Sequence, residues 1–397
     1  MPGPLDGIKV IDVSAVISGP MCCQILADQG AEVIKVEPHG IGDMTRVGGY
    51  RVGTISAMYG AVNRGKKSVA LDLSQSAGVE AFKTLAAAAD VVVQNFRPGA
   101  VERMGIGADD LHAVNPALIY VSISGFGPDG PYSNWRVYDP IIQAVVGLPS
   151  VQMSQDIPIP DLVRTLACDK ATAYTAAQAI TAALFARERG QARGQHLQIP
   201  MLDSALYFLW PDIYMAHTFY GPDVVPGPPV YKVYRMQQTA DGFLVYFVIS
   251  DSEVRGLCTA LGHPEWMDDP RFATPLTRQA PANGQAFGEL LNNAFLEFAT
   301  DEIIERLHAE QVPAAHLNTL DDVFGDPQVV HNDAIHTWEH PTVGEVRQAR
   351  PPVRWSGTSH ETRWSIDALG ESTEAVLRDH GYDNDRLAEL RATGVIG

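Results

Sequence analysis

The N-terminal third of the chain alternates short, β-branched apolar runs with amphipathic stretches. In order it reads GIKVIDVS, a helical segment around MCCQILADQ closed by Gly30, AEVIKVE, a helix around SAMYGAVN, SVALDL, a helix around GVEAFKTLAAAA, DVVVQNF and LIYVSISGF. Continuous apolar runs belong to strands covered on both faces, and helices between them are the crossovers of βαβ units. The pattern therefore predicts a parallel sheet in a doubly wound α/β domain. From Lys170 the chain reads KATAYTAAQAITAALFARERGQARGQ, Ala-rich and without Pro or Gly up to Gly190, which predicts a helix of about five turns. Asp169 stands at its N-terminal end. There the helix dipole and unsatisfied N–H groups favour a charged carboxylate, so Asp169 reads as an N-cap that stays ionised.

Beyond that helix come QHLQIPM, a helical SALYFLWPDIYMAH and the Pro/Gly-rich YGPDVVPGPPVYK, which reads as a linker. A hairpin about Ala240, Asp241 and Gly242, with arms YRMQQT and FLVYFVIS, then precedes helices around EVRGLCTALG, AFGELLNNAFLEFA and DEIIERLHAE. The expected organisation is a Rossmann-like large domain begun by residues 1–220, a linker over 221–230, a smaller α+β domain over 231–325 and a return to the large domain over 326–397. No internal repeat or low-complexity tract interrupts it.

Composition narrows the function classes. A net charge of -18 over 397 residues argues against a nucleic-acid partner, whose phosphates so acidic a body repels. No run approaches 18 apolar residues, and MPGPLDGIKVID lacks the basic and apolar regions of a secretory signal, so a cytoplasmic, membrane-free protein is expected. The four cysteines, Cys22, Cys23, Cys168 and Cys258, have no metal-ligand spacing and read as reduced core residues; the twelve histidines form no HxxxH or HExxH pattern, so no metal site is expected. Charge is uneven, however. The first 70 residues hold seven Lys/Arg against six Asp/Glu, with Arg64, Lys66 and Lys67 clustered, and such a patch can hold a small polyanion.

Three segments carry candidate chemistry. At the first strand–helix junction, VIDVSAVISGPMCC, only Gly19 precedes the helix. The missing G-x-G-x-x-G argues against a nicotinamide or flavin site, although the N–H groups of that loop can contact another ligand. NFRPGAVERMG, Asn95 to Gly105, follows a strand at its carboxyl end, where ligands of open α/β sheets bind. Phe96 can face a purine, Arg97 and Arg103 can meet phosphates, and Asn95 can bind a polar ligand or hold the turn. The segment reads equally as a loop capped by Asn95 and broken at Pro98-Gly99, with exposed arginines. GFGPDGPYSNWRVYDPIIQA, Gly125 to Ala144, offers Arg136 and Tyr138 as contacts, or is a surface loop in which Asp139 caps the next helix. GTSHE, Gly357 to Glu361, lacks the G-x-S-x-G elbow of a serine hydrolase.

Together PLDGIKVIDVSAVISGP, GAEVIKVEPHGIGDMTR, NRGKKSVALDL, VVVQNFRPGAVERMG, GFGPDGPYSNWRVYDPIIQA, LACDKATAYTAAQAITAALFARERGQARGQ and DPRFAT resemble the class III coenzyme A transferases, which include formyl-CoA transferase and carnitine CoA-transferase and have the α-methylacyl-CoA racemases as relatives. The resemblance implies a Rossmann-like large domain of atypical connectivity, a small domain and two interlocked subunits. It implies Asp169 as nucleophile, Val16, Leu71, Asn95, Phe96, Arg103, Met104, Arg136 and Tyr138 as coenzyme A contacts, an acyl-CoA and a carboxylic acid as substrates, and no tightly bound cofactor. The chain departs from formyl-CoA transferase at Ile17, where that enzyme has a Gln, at Pro38-His39, where basic residues touch the nucleotide, and at SDSEVRGLC, where a glycine-rich loop is absent.

A carboxylate such as Asp169 can attack an acyl-CoA to give a mixed anhydride, then exchange it for an aspartyl-CoA thioester. Racemisation next to the thioester carbonyl is the alternative, but the racemases carry a His where this chain has Tyr138. A noncatalytic CoA-binding protein and a nicotinamide-dependent oxidoreductase are the remaining readings, opposed by Asp169 and by the missing glycines. Tyr207, Trp210 and Tyr214 fit either an apolar acyl pocket or a packed helix.

Overall fold

The computed structural model describes residues 2–397 apart from 154–157, 226, 228, 235 and 359. Positions 226 and 228 of the Pro/Gly-rich stretch, 235 of the first hairpin arm and 359 of GTSHE thus lie outside the described residues. The chain divides into two compact units, Met1–Gly227 with Asp333–Gly397, and Pro228–Asn332.

In the first unit the apolar runs become β1 (Lys9–Asp12), β2 (Glu32–Pro38), β5 (Lys67–Leu71), β6 (Val91–Gln94), β7 (Ile119–Ser124) and β8 (Gln195–Pro200), with β3 (Arg51–Val52) and β4 (Ile55–Ser56) forming a small separate hairpin. The six long strands are all parallel, in the order β5-β2-β1-β6-β7-β8. Counted along this sheet alone, the order is third, second, first, fourth, fifth, sixth. That is the ordinary doubly wound order, not the atypical connectivity expected from the resemblance.

The helices are α1 (Ser18–Ala27), α2 (Ala57–Asn63), α3 (Ser76–Ala87), α4 (Ala100–Arg103), α5 (Ala108–Val114), α6 (Asp139–Val145), α7 (Ala167–Glu188) and α8 (Met201–Leu209). Side chains alternate across the sheet. Val10, Val33, Val91, Val93 and Val121 join Cys22, Leu26 and the alanine face of α7 on one side, while Ile11, Ile34, Val69 and Val92 join Phe82 and Leu85 of α3 on the other. The small side chains of α7, Ala173, Ala176 and Ala177, let this 22-residue helix lie close in the first of these layers. C-terminal helices over Thr373–Asp379 and Asn384–Ala392 return to the second layer, and the Thr373 hydroxyl accepts the Ala70 N–H at 3.0 Å. All four cysteines are unpaired and buried.

The second unit pairs Phe243–Tyr246 antiparallel with Gln237–Gln238 and with Ala314–His316. Helices over Asp251–Ala260, Pro281–Phe295 and Thr300–Ala309 cover it with Leu257, Leu291, Phe295, Ile303 and Leu307. Ser250 and Glu253 form a capping box, so the SDSEVRGLC segment is a helix start. Among the described residues no helix is long and apolar enough to cross a membrane, and no group of three or more His, Cys, Asp or Glu can hold a metal ion.

Candidate active site

The doubly wound order reverses between β1 and β6, and there the chains leaving the two strands diverge and open a crevice. Val13 still donates its N–H to the Val93 carbonyl at 2.9 Å. Just beyond, Asn95 grips the opposite loop: its Oδ1 accepts the Ala15 N–H at 2.8 Å and its Nδ2 donates to the Ala15 carbonyl at 2.7 Å. The Gln94 side chain accepts the Phe96 N–H at 2.7 Å and fixes the loop that follows. Asn95 is therefore the residue that holds the turn, one of the two roles its sequence allowed.

A cavity of about 330 Å³ lies at this point, lined by Val16, Ser18, Arg97, Arg136, Tyr138 and Asp169 among others. A second, of about 320 Å³, adjoins it through Ala15 and Phe96 and is lined by Leu71, Met104, His39 and Asp72. The structure thus brings Val16, Asn95, Phe96, Arg97, Arg136, Tyr138 and Asp169 to the first cavity, and Leu71 and Met104 to the second. Arg103 lines neither; it is exposed at the end of α4 beside Gly99.

Asp169 is buried, with 8% of its surface exposed. It is the third residue of α7, not the N-cap; the helix starts at Ala167, after Leu166, which makes no side-chain cap. Its own N–H is capped from another element, donating to Asp139 Oδ2 at 2.9 Å. Asp139, itself buried in the first turn of α6, caps α7 rather than the helix it begins. Gln143 holds it, donating to Asp139 Oδ1 at 2.6 Å and to the carbonyls of Val163 and Thr165 at 3.1 Å.

Burial, and then the neighbouring Asp139 charge, push the Asp169 pKa up to about 6, while the Ser18 hydroxyl and N–H favour its charged form. Asp169 is thus less readily ionised than an ordinary aspartate, because the loss of water outweighs the helix dipole, yet it remains mostly charged at neutral pH. Ser18 opens α1, so the N-terminus of that helix faces the same carboxylate. Cys168 is no competitor, since burial first, and then Asp139 and Asp169, raise its pKa to about 12 and keep it a thiol.

The basic cluster read as a polyanion patch is committed internally. Lys66 is buried and donates at 2.8 Å to each of Asp12 Oδ2, Asn63 Oδ1 and the Pro20 carbonyl. Arg64 pairs with Asp28 at 2.7 Å, and Lys67 pairs with Glu32 at 2.7 Å. The cations that do line the first cavity are Arg97 and Arg136. Sequence reasoning missed Ser18 and the role of Asp139. A serine in an apolar turn and an Asp-Pro helix start give no sign of which distant helix they face.

Residues 5–373 match the model of CoA-transferase family III. The chain is 33% identical to human succinyl-CoA:glutarate CoA-transferase over 99% of this chain and 90% of that protein. It is 33% identical to succinyl-CoA–D-citramalate CoA-transferase of Chloroflexus aurantiacus, covering 100% and 98%, and 31% identical to formyl-CoA:oxalate CoA-transferase of Escherichia coli, covering all of both. Among solved structures, a mutant form of Rv3272 from Mycobacterium tuberculosis superposes with a TM-score of 0.83 at 28% identity, over 95% of this chain and 99% of that one. A CaiB/BaiF family protein from Brucella suis gives 0.79 at 31% identity, over 96% and 100%. An open α/β crevice with a buried carboxylate at its floor, matched end to end by such relatives, places the chain plainly: it belongs to CoA-transferase family III and is a CoA-transferase.

Proposed function

We propose that this enzyme moves coenzyme A from an acyl-CoA donor to a carboxylic acid through covalent intermediates on Asp169. The observation that carries this reading is a lone carboxylate on the floor of the first cavity, buried yet with a pKa of about 6, and therefore mostly ionised and poorly hydrated at neutral pH. Asp169 attacks the thioester carbonyl, the C–S bond breaks and CoA leaves as thiolate, giving a mixed anhydride. The thiolate then attacks the aspartyl carbonyl, releasing the donor acid and leaving an aspartyl-CoA thioester. The acceptor carboxylate attacks that thioester, and the returning thiolate takes the acceptor acyl group and frees Asp169. No proton or electron is gained or lost over the cycle.

Each addition places negative charge on an oxygen, and the donors facing Asp169 are the Ser18 N–H and hydroxyl at the start of α1. The two adjoining cavities can take one long ligand. We assign its adenine-bearing end to Leu71, Phe96 and Met104 and its thioester end to Val16, Asn95, Tyr138 and Asp169, with Arg97 and Arg136 as cationic contacts in the first cavity and Arg103 outside both. Racemisation would need a second acid/base opposite Asp169, and among the described residues no histidine lines its cavity. We also read the chain as a cytoplasmic homodimer; the exposed Tyr174 and Phe185 of α7 and Tyr207 and Phe208 of α8 support the dimer.

The test is a transfer assay with succinyl-CoA as donor and glutarate, D-citramalate or oxalate as acceptor, the acids named by the relatives. The reading predicts new acyl-CoA with at least one pair, abolished by Asp169→Ala. Exchange of the α-proton of an acyl-CoA in deuterated water, without transfer, would replace it by racemisation.

A further inference from the structure

Beneath the loop from Asp12 to Pro20 lies a group of buried charges that the proposed chemistry does not use. Asp12, Lys35, Asp43 and Lys66 are all buried; Lys35 Nζ stands 3.6 Å from Asp12 and 3.3 Å from Asp43, and Lys66 bonds Asp12. Behind them Glu37 pairs with Arg46 at 2.7 Å and accepts the Asp43 N–H at 2.9 Å. Six buried charges sum to zero. Such a cluster is weak evidence for stability, because well-packed apolar side chains of the same volume often do as well. Its output is visible in what it touches.

Four of the six reach the backbone of the same short loop. Asp12 accepts the Ser14 N–H at 3.0 Å, Lys35 donates to the Ser14 carbonyl, Asp43 accepts the Val16 N–H at 3.2 Å and Lys66 donates to the Pro20 carbonyl. With the Asn95 grip on Ala15, side chains from β1 and β2, from the turn after β2, from the residue before β5 and from the residue after β6 fix the path from Ser14 to Pro20. That path is strained. Val16 has φ of 71°, a left-handed conformation that a β-branched residue rarely adopts. Ile17 follows as the N-cap of α1, and Ser18, the first residue of that helix, faces Asp169.

We infer that the buried Lys35–Asp43 pair is a positioning device, holding Val16 in its left-handed conformation so that the Ser18 donors are aimed at the reacting carboxylate. Lys35 and Asp43 touch no reacting atom; they act through the turn. This inference rests on the proposed role of Asp169 for its catalytic consequence, while the geometry of the turn stands apart from it.

The experiment is a double-mutant cycle between Lys35→Met and Val16→Gly, with Asp43→Asn as the second probe should Lys35→Met fail to fold. Glycine takes the left-handed conformation without help, so it should uncouple the turn from the pair. Lys35→Met should lower kcat roughly 10- to 100-fold in the native background, the order expected for a displaced reacting group, and under about threefold in the Val16→Gly background. A merely structural residue would give the same loss in both. Amide hydrogen exchange over residues 13–19, which needs no turnover, should accelerate on Lys35→Met in the native background and little in the glycine background. Equal losses in both backgrounds, or exchange unchanged by Lys35→Met, overturn the inference. Absence of any transfer by the native enzyme would instead remove the proposed function and leave the exchange result to decide on the turn.

Discussion

Asp169 carries opposite demands in one side chain. Burial strips water from this proposed nucleophile and also makes its charge costly, and its pKa of about 6 records the compromise. Only the ionised form attacks, so kcat/KM should rise with pH through about 6 and then level. Ser18→Ala removes a donor that favours the charge, so it should move this limb to higher pH and lower kcat about tenfold or more. Asp139→Asn removes the neighbouring charge while leaving an oxygen for the Asp169 N–H, and should move the limb to lower pH; limbs that move together in the two variants would contradict this arrangement. Stability gives the mirror image. Between the ordinary aspartate value of 3.8 and about 6 the folded protein binds the proton that the unfolded chain has lost, so this site weakens the fold as pH rises through that window. Asp169→Asn should therefore raise the melting temperature at pH 7.5, by the equivalent of about 1–3 kcal/mol, and lose that gain by pH 4.

At the scale of elements, the site is a meeting of two helix starts, α1 and α7, at the reversal point of a parallel sheet. Gly19 makes the first of these possible, since a Cβ there would overlap the Ser14 side chain. Gly19→Ala should cost about 1–3 kcal/mol through overpacking and displace Ser18, seen as a lower melting temperature together with a fall in kcat. The strands were legible in the sequence because Val91, Val92, Val93 and their neighbours are covered on both faces, which leaves a continuous apolar run. The start of α7 was not. Asp169 is a good N-cap by type, yet the cap comes from Asp139, 30 residues earlier, and spacing along the chain does not reveal a partner at that distance. Arg64 and Lys66 misled for a related reason: a run of cations reads as a surface patch, and their carboxylate partners Asp28 and Asp12 are remote in sequence.

For the molecule as a whole, a net charge of -18 coexists with cations placed where an anionic ligand would bind, Arg97 and Arg136 facing the first cavity. Averages over the chain therefore say which partners are repelled, and not which ligand is held. The aromatic residues of α7 and α8 are exposed, Tyr207 at 84% among them, and can serve as a face for a second copy of the chain. Light scattering on the purified protein should give twice the mass of the chain, and Tyr207→Glu with Phe208→Glu should shift it to one.

The central claim is a covalent bond to one residue, and mass spectrometry reads it directly. The protein is incubated with succinyl-CoA and other acyl-CoA donors, trapped with hydroxylamine or borohydride and mapped to peptides. Modification at Asp169 that disappears in Asp169→Ala is the predicted result; an enzyme that transfers CoA while Asp169 stays unmodified, or that is labelled at another residue, would contradict the account.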